Sequence, residues 1–150
     1  MTAMTGRFER RVRLRFGQCD PAGIVFYPQY FVLFNDLVED WVGDALGIPF
    51  AELIGPRRTG MPTVSITTDF LAVSRFGDEL VLGLQVEHLG SRSLRLALDA
   101  GCGGQRRVAV RQAIVTTDLD SHRAIPIPPD LRSAIERWRG PSAEPLSTAP

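Results

Sequence analysis

Apolar and polar positions alternate with period two through much of the second half of the chain. Val81, Leu82, Leu84 and Val86, then Leu94, Leu96 and Leu98, carry this alternation. Strands are expected at about 62–75, 78–90, 92–101 and 105–117. Their separators are short: Phe76-Gly77-Asp78, Gly90-Ser91 and Gly101-Cys102-Gly103-Gly104. Connections of that length join antiparallel neighbours. Near the start, Val12, Leu14 and Phe16 alternate with Arg11, Arg13 and Arg15, which predicts a further strand over roughly 9–16.

From Pro28 the period changes. Tyr30, Phe31, Phe34, Leu37, Val38, Trp41 and Val42 recur at three and four. Pro28 suits a first helical turn, where its missing N–H costs nothing, and Gly47 before Pro49 is a stop signal. The helix should run to about Leu46, with its apolar first half wrapped on several sides and Asp36, Glu39, Asp40 and Asp44 on a wetter face. Residues 49–60 read as a short turn or helix and a loop. Pro129 to Arg139 reads as a short helix with Leu131, Ile135 and Trp138 on one face. The expected architecture is α+β, an antiparallel sheet with one long helix segregated onto it, in a single domain over 1–139. The Pro-, Ser- and Ala-rich tail, 140–150, is expected to be disordered.

Composition narrows the class. With 150 residues, 44% of them hydrophobic, the chain can bury one real core. The formal net charge is zero, so the total gives no electrostatic case for nucleic acid or a membrane surface. The longest apolar run, Ile24 to Phe34, is broken by Pro28 and Gln29 and is too short to span a bilayer. Cys19 and Cys102 form no Cys-x-x-Cys, and the N-terminal stretch lacks an apolar signal core, so a cytoplasmic location is expected. His88 and His122 stand alone, without a second His at metal spacing. There is no Gly-x-Ser-x-Gly elbow and no Gly-rich phosphate loop before a helix, which disfavours an α/β-hydrolase thioesterase and a nucleotide-hydrolysing or dinucleotide enzyme.

The candidate chemistry lies in Cys19-Asp20-Pro21-Ala22-Gly23-Ile24-Val25-Phe26-Tyr27-Pro28-Gln29-Tyr30. A lone carboxylate occupies a Pro/Gly turn directly before the long helix. As a local pattern, Asp20 reads either as a turn residue or as a base or nucleophile facing a helix start. The free N–H groups of that start favour negative charge and can polarise a carbonyl.

This segment resembles the signature of the hot-dog-fold thioesterases, the 4-hydroxybenzoyl-CoA thioesterase-like group. Phe70-Leu71 followed by Gly77-Asp78-Glu79-Leu80 is a weaker part of the same likeness, which covers about residues 8–130. The resemblance implies a hot-dog fold, with a curved antiparallel sheet wrapped around one long helix, and hydrolysis of an acyl-CoA thioester, with an aryl-CoA favoured. By analogy, Asp20 attacks the thioester carbonyl or activates water. Tyr27, seven residues later, offers its backbone N–H to the oxyanion, and Gly23 permits the turn or a close approach of substrate.

Phe26, Phe31, Phe34, Asn35 and Val38 are candidate acyl-pocket residues or core, with Asn35 able to meet a polar substituent. Phe50, Met61 and Thr63 are placed beside the pocket, the start of the second strand being implied to approach a partner subunit. Arg92 is a candidate fork for a CoA phosphate, and Arg57, Arg58, Arg75, Arg106 and Arg107 are further cations or solvated residues. No metal or redox cofactor is implied, since coenzyme A is part of the substrate. A homodimer or homotetramer with sites at the subunit interface is implied. The rival readings are an acyl-carrier-protein thioesterase, a non-catalytic acyl-binding module and a hydratase, whose His after the Asp is replaced here by Ile24 to Tyr27.

Overall fold

The computed structural model describes residues 6–140. In chain order its elements are β1 (Arg7–Arg13), α1 (Pro28–Asp40), α2 (Phe50–Ile54), β2 (Thr59–Gly60) and β3 (Thr63–Phe70). They continue as β4 (Glu79–Leu89), β5 (Ser93–Cys102), β6 (Gln105–Val115), β7 (Thr117–Asp118), β8 (Arg123–Ala124) and α3 (Pro129–Arg139). The expected tail lies outside the described residues apart from Gly140.

The period-two stretches pair into a five-stranded antiparallel sheet in the order β1-β4-β5-β6-β3. One face is apolar because alternate positions are: Leu80, Leu82 and Leu84 on β4, Leu94, Leu96 and Leu98 on β5, Val108, Val110 and Ile114 on β6 are all buried. Tyr30, Leu33, Phe34, Leu37 and Val38 of α1 complete the same core. Burying each such large side chain stabilises the fold by about 1.5–3 kcal/mol before the entropy of ordering is counted. Register shifts at Thr63/Ser65, Val86/His88 and Ala100/Gly101 bend the strands, so that the sheet curls around α1. This is the hot-dog fold, α+β with the long helix on one face of the sheet.

Three expectations are refined. The first strand ends at Arg13: Leu14 still bonds the strand-end Asp78, but Phe16 turns out into a 3₁₀ turn, Phe16–Gln18, and is exposed. The long helix is regular only to Asp40, then widens into a π turn, Trp41–Ala45, closed by Leu46 N–H to the Trp41 carbonyl at 3.0 Å and ended by Gly47 at φ 74°. That turn keeps Trp41 and Val42 wholly buried and sets Trp41 edge-on to Trp138 of α3, 5.4 Å between centroids. The stretch 105–117 divides at Thr116: β7 leaves the large sheet and joins β2 and β8 in a three-stranded sheet.

β3 is the outermost strand next to the helix, and its free edge carries exposed Val64, Ile66 and Phe70. An open edge with apolar side chains is a pairing surface. Among the described residues no helix is long and apolar enough to cross a membrane.

Candidate active site

The loop between β1 and α1 folds back on itself. Cys19 pairs with Val25 as an isolated antiparallel bridge, Asp20 N–H donates to the Ile24 carbonyl at 2.9 Å, and Gly23 N–H donates to the Asp20 carbonyl at 2.9 Å. Gly23 sits at φ 80°, a conformation that β-carbon-bearing residues rarely adopt. Inside this turn the Ala22 N–H donates to Asp20 Oδ1 at 2.8 Å, while Oδ2 has no partner among the described residues. The half-buried carboxylate is thus oriented by one oxygen and open at the other.

The loop then enters α1. Val25 N–H is taken by the Ser74 carbonyl and Phe26 N–H by the Gln18 carbonyl, both at 3.0 Å. Pro28 has no N–H. Tyr27 N–H has no acceptor among the described residues, which leaves it as a free donor at the positive end of a 13-residue helix. Its aromatic ring is exposed and packs edge-on to Phe26 and Phe70.

The loop rests on a strap, residues 71–78. Besides Val25 to Ser74, the Phe76 N–H donates to the Gly23 carbonyl at 2.9 Å and Ile24 bridges Arg75. Arg107 holds the strap from β6: Nη1 donates to the Val73 carbonyl at 2.7 Å and to Asp78 Oδ2 at 2.9 Å, and its own carbonyl accepts from Leu71 and Ala72. The Arg75 N–H first, then Arg107, hold the Asp78 carboxyl below the usual carboxylate range. Burial pushes the Tyr30 phenol up against the opposing pull of Ser74 and Arg107. Desolvation, then the neighbouring Asp20 charge, push the Cys19 thiol up, and the thiol donates to the Arg15 carbonyl at 3.6 Å. Cys19 is therefore disfavoured as a thiolate nucleophile.

Two clefts flank α1. One, of about 460 Å³, brings together Phe31, Asn35 and Thr63 with Phe34, Ile66 and Gln112. The other, of about 340 Å³, is lined by Tyr27, Tyr30, Phe70 and the strap from Leu71 to Ser74. Phe26 lies exposed beside Tyr27.

The remaining candidates lie elsewhere. Phe50 packs against the core at the start of α2, and Met61 and Arg92 meet Leu131 and Ile135 at a small gap beneath α3. Arg107 is committed to the strap, Arg57 to a two-bond pair with Asp130 (2.7 and 2.8 Å), and Arg58 to Asp120 at 3.1 Å, while Arg75, Arg92 and Arg106 make no ion pair among the described residues. No group of three His, Cys, Asp or Glu among the described residues could hold a metal ion. Gln112, Phe70 and Ser74 are site-lining residues that periodicity does not single out, and Tyr30 is one that it places on the helix but not in the site. For Gln112 a signal existed, a polar residue in the buried alternation Val108, Val110, Ile114.

A family model described as "Thioesterase-like superfamily" matches residues 14–135. No curated protein sequence matches the chain. Among solved structures, a gentisyl-coenzyme A thioesterase is 28% identical, with 83% of this chain and 99% of that chain covered and a TM-score of 0.77. A 1,4-dihydroxy-2-naphthoyl-CoA thioesterase from Synechocystis is 20% identical, with 87% and 96% covered and a TM-score of 0.79. An Asp-to-Asn mutant of a 4-hydroxybenzoyl CoA thioesterase, complexed with 4-hydroxybenzoyl CoA, is 24% identical, with 87% and 99% covered and a TM-score of 0.76.

Proposed function

We propose that this chain, which belongs to the thioesterase-like superfamily and is a thioester hydrolase on a hot-dog fold, cleaves an aryl-CoA thioester to the free acid and CoA. One observation carries the reading: an Asp20 carboxylate pinned by Ala22 N–H at Oδ1, with Oδ2 free, in the turn leading to the unengaged Tyr27 N–H at the start of α1. A negative oxygen and an electrophilic donor are what acyl transfer needs on either side of a carbonyl.

Asp20 Oδ2 attacks the thioester carbonyl, or removes a proton from a water that does. In both routes the carbonyl π electrons move to oxygen, and the Tyr27 N–H with the α1 dipole stabilises that oxyanion. The intermediate collapses, the C–S bond breaks, and the CoA thiolate leaves with the bonding pair and gains a proton. In the covalent route water then hydrolyses the Asp20 anhydride. This chemistry calls for no metal and no redox cofactor, and CoA arrives with the substrate.

A homodimer completes the site. β3 pairs antiparallel with its copy, covering exposed Val64, Ile66 and Phe70. Pairing centred on the strand sets Thr63 opposite Phe70 of the partner subunit, and so joins the Asn35–Thr63 cleft of one chain to the Tyr27–Phe70 cleft of the other. The apolar walls Phe31, Phe34 and Phe70 suit a planar acyl group. The three similar structures named above are thioesterases of hydroxylated aryl-CoAs, which favours the same acyl class here. Arg92, exposed and without an ion pair among the described residues, is a cation for a CoA phosphate, a property it shares with Arg75 and Arg106. Two free cysteines fit a reducing compartment, the cytoplasm.

The test is CoA release from a panel of aryl- and alkyl-CoA thioesters by wild type and Asp20→Asn. Turnover by wild type that drops by roughly a hundredfold or more in a folded Asp20→Asn protein is expected. Equal turnover by the two proteins would remove Asp20 from the mechanism.

A further inference from the structure

Gln112 sits on the inner face of β6, where its neighbours other than Thr63 are apolar. Its ladder partners are Leu96 on β5 and Ile66 on β3, and Val110 and Ile114 flank it along the strand. The side chain is buried, 8% exposed, and lines the 460 Å³ cleft. Burying an amide among aliphatic groups is costly unless its hydrogen bonds are made. Half of the amide is satisfied: Nε2 donates to Thr63 Oγ1 at 2.6 Å. Oε1 has no partner among the described residues. Thr63 accepts at its oxygen and keeps its own hydrogen to donate. The pair therefore presents one fixed acceptor and one donor side by side in a cleft walled by Phe31 and Phe34.

We infer that Gln112, held by Thr63, selects acyl groups that carry a hydroxyl. The substrate O–H donates to Gln112 Oε1 and its oxygen accepts from Thr63 O–H. None of the cleft's lining residues is charged, so a carboxylate or ammonium in the acyl group would be buried there without a counter-charge. A plain ring leaves Oε1 unpaired once water is expelled, and that penalty is what discriminates. The inference rests on the aryl-CoA reading above and deepens it: it assigns a specificity-determining role to a β6 residue, separate from the bond-breaking groups at Asp20 and Tyr27.

The experiment compares kcat/KM for benzoyl-CoA and for the 2-, 3- and 4-hydroxybenzoyl-CoAs in wild type, Gln112→Met and Thr63→Val. The readout is the hydroxy-to-plain ratio, in which a general loss of activity cancels. Wild type should favour at least one hydroxy isomer by about tenfold, the worth of one well-placed hydrogen bond, and Gln112→Met should bring that ratio to within about threefold. No preference in wild type, or a preference that survives in folded Gln112→Met, would overturn the inference. Where Gln112→Met does not fold by circular dichroism, Thr63→Val, altered at an exposed strand end, decides: an undiminished ratio there is the refuting result. Binding of the same thioesters to Asp20→Asn, measured by calorimetry, separates this outcome from failure of the enzyme reading. Neither turnover nor binding of any of them would remove the aryl-CoA reading and this inference together, whereas turnover with an indifferent ratio would remove only the inference.

Discussion

Replacing Arg107 by Met removes the side chain that, among the described residues, ties β6 to the strap under the Asp20 loop. The guanidinium gives up its bonds to the Val73 carbonyl (2.7 Å) and Asp78 (2.9 Å) and a longer one to Ser74 Oγ (3.4 Å). Arg107 and Asp78 side chains are only 13% and 26% exposed, so water repairs these losses poorly. A hydrogen bond to a charged group contributes about 1.5–3 kcal/mol, and breaking a fully buried pair costs about 3–5 kcal/mol. Asp78 keeps its bond from Arg75 N–H at 2.9 Å, and Arg107 Nε is itself buried without a partner, a cost that Met removes. The expected loss is therefore about 2–4 kcal/mol, which leaves most of a typical 5–15 kcal/mol fold intact.

Urea denaturation at neutral pH measures it, and the double variant Arg107→Met/Asp78→Asn should lose less than the two singles added together. Because the strap holds Gly23, Ile24 and Val25 by backbone contacts, kcat should fall more than KM rises in folded Arg107→Met. Arg107→Lys keeps the charge but not the planar fork, and should fall between wild type and Met. A loss under about 1 kcal/mol, the scale of a surface pair, with kcat unchanged would refute the reasoning. The strap would then be held by its backbone bonds alone.

Three further outcomes follow from named contacts. Since the Asp78 carboxyl is held below its ordinary range in the folded state, its contribution is complete above the unfolded value and is lost as pH falls through the lowered one. The stability gap between wild type and Asp78→Asn should thus be full above about pH 5 and close progressively below about pH 4, and a gap independent of pH in chemical melts would contradict it. Gly23→Ala meets no atom within 4 Å but must hold φ 80°, so the expected cost is about 1–2 kcal/mol with a drop in kcat from a shifted Asp20, read by melting and steady-state kinetics. Ile66→Arg places a charge on the open edge of β3 and should convert the proposed dimer to monomer in sedimentation, with activity falling in parallel because the joined cleft is lost.

What could be read from the chain divides by the range of the interactions involved. The sheet and the helix were legible because alternate leucines and the three-four spacing from Tyr30 to Val42 record, locally, which face each element buries. The Asp20 turn is of the same kind: Asx bonding to Ala22 N–H and a positive φ at Gly23 are properties of four consecutive residues, Asp20 to Gly23. The free Tyr27 donor follows from Pro28, which has no hydrogen to give and starts the helix after it.

Other features depended on partners far along the chain. Whether Arg107 is a phosphate ligand or a strap anchor is decided by Val73 and Asp78, 34 and 29 residues away. Met61, placed by the resemblance beside the pocket, and Arg92, a candidate fork for a CoA phosphate, border a small gap with Leu131 and Ile135 of α3, a neighbour that local sequence does not show. The end of β1 at Arg13 is similar: Phe16 keeps the alternation, yet the strap beside it draws the chain away into the Asp20 turn. Gln112 lies between these cases. Its polarity in an apolar alternation was visible, but a polar residue at a buried strand position acquires meaning only when the structure shows which bond it lacks. Here the unmade bond is at Oε1 of a side chain that lines the cleft, and an unmade hydrogen bond in a mostly apolar wall is a statement about the ligand rather than about the fold.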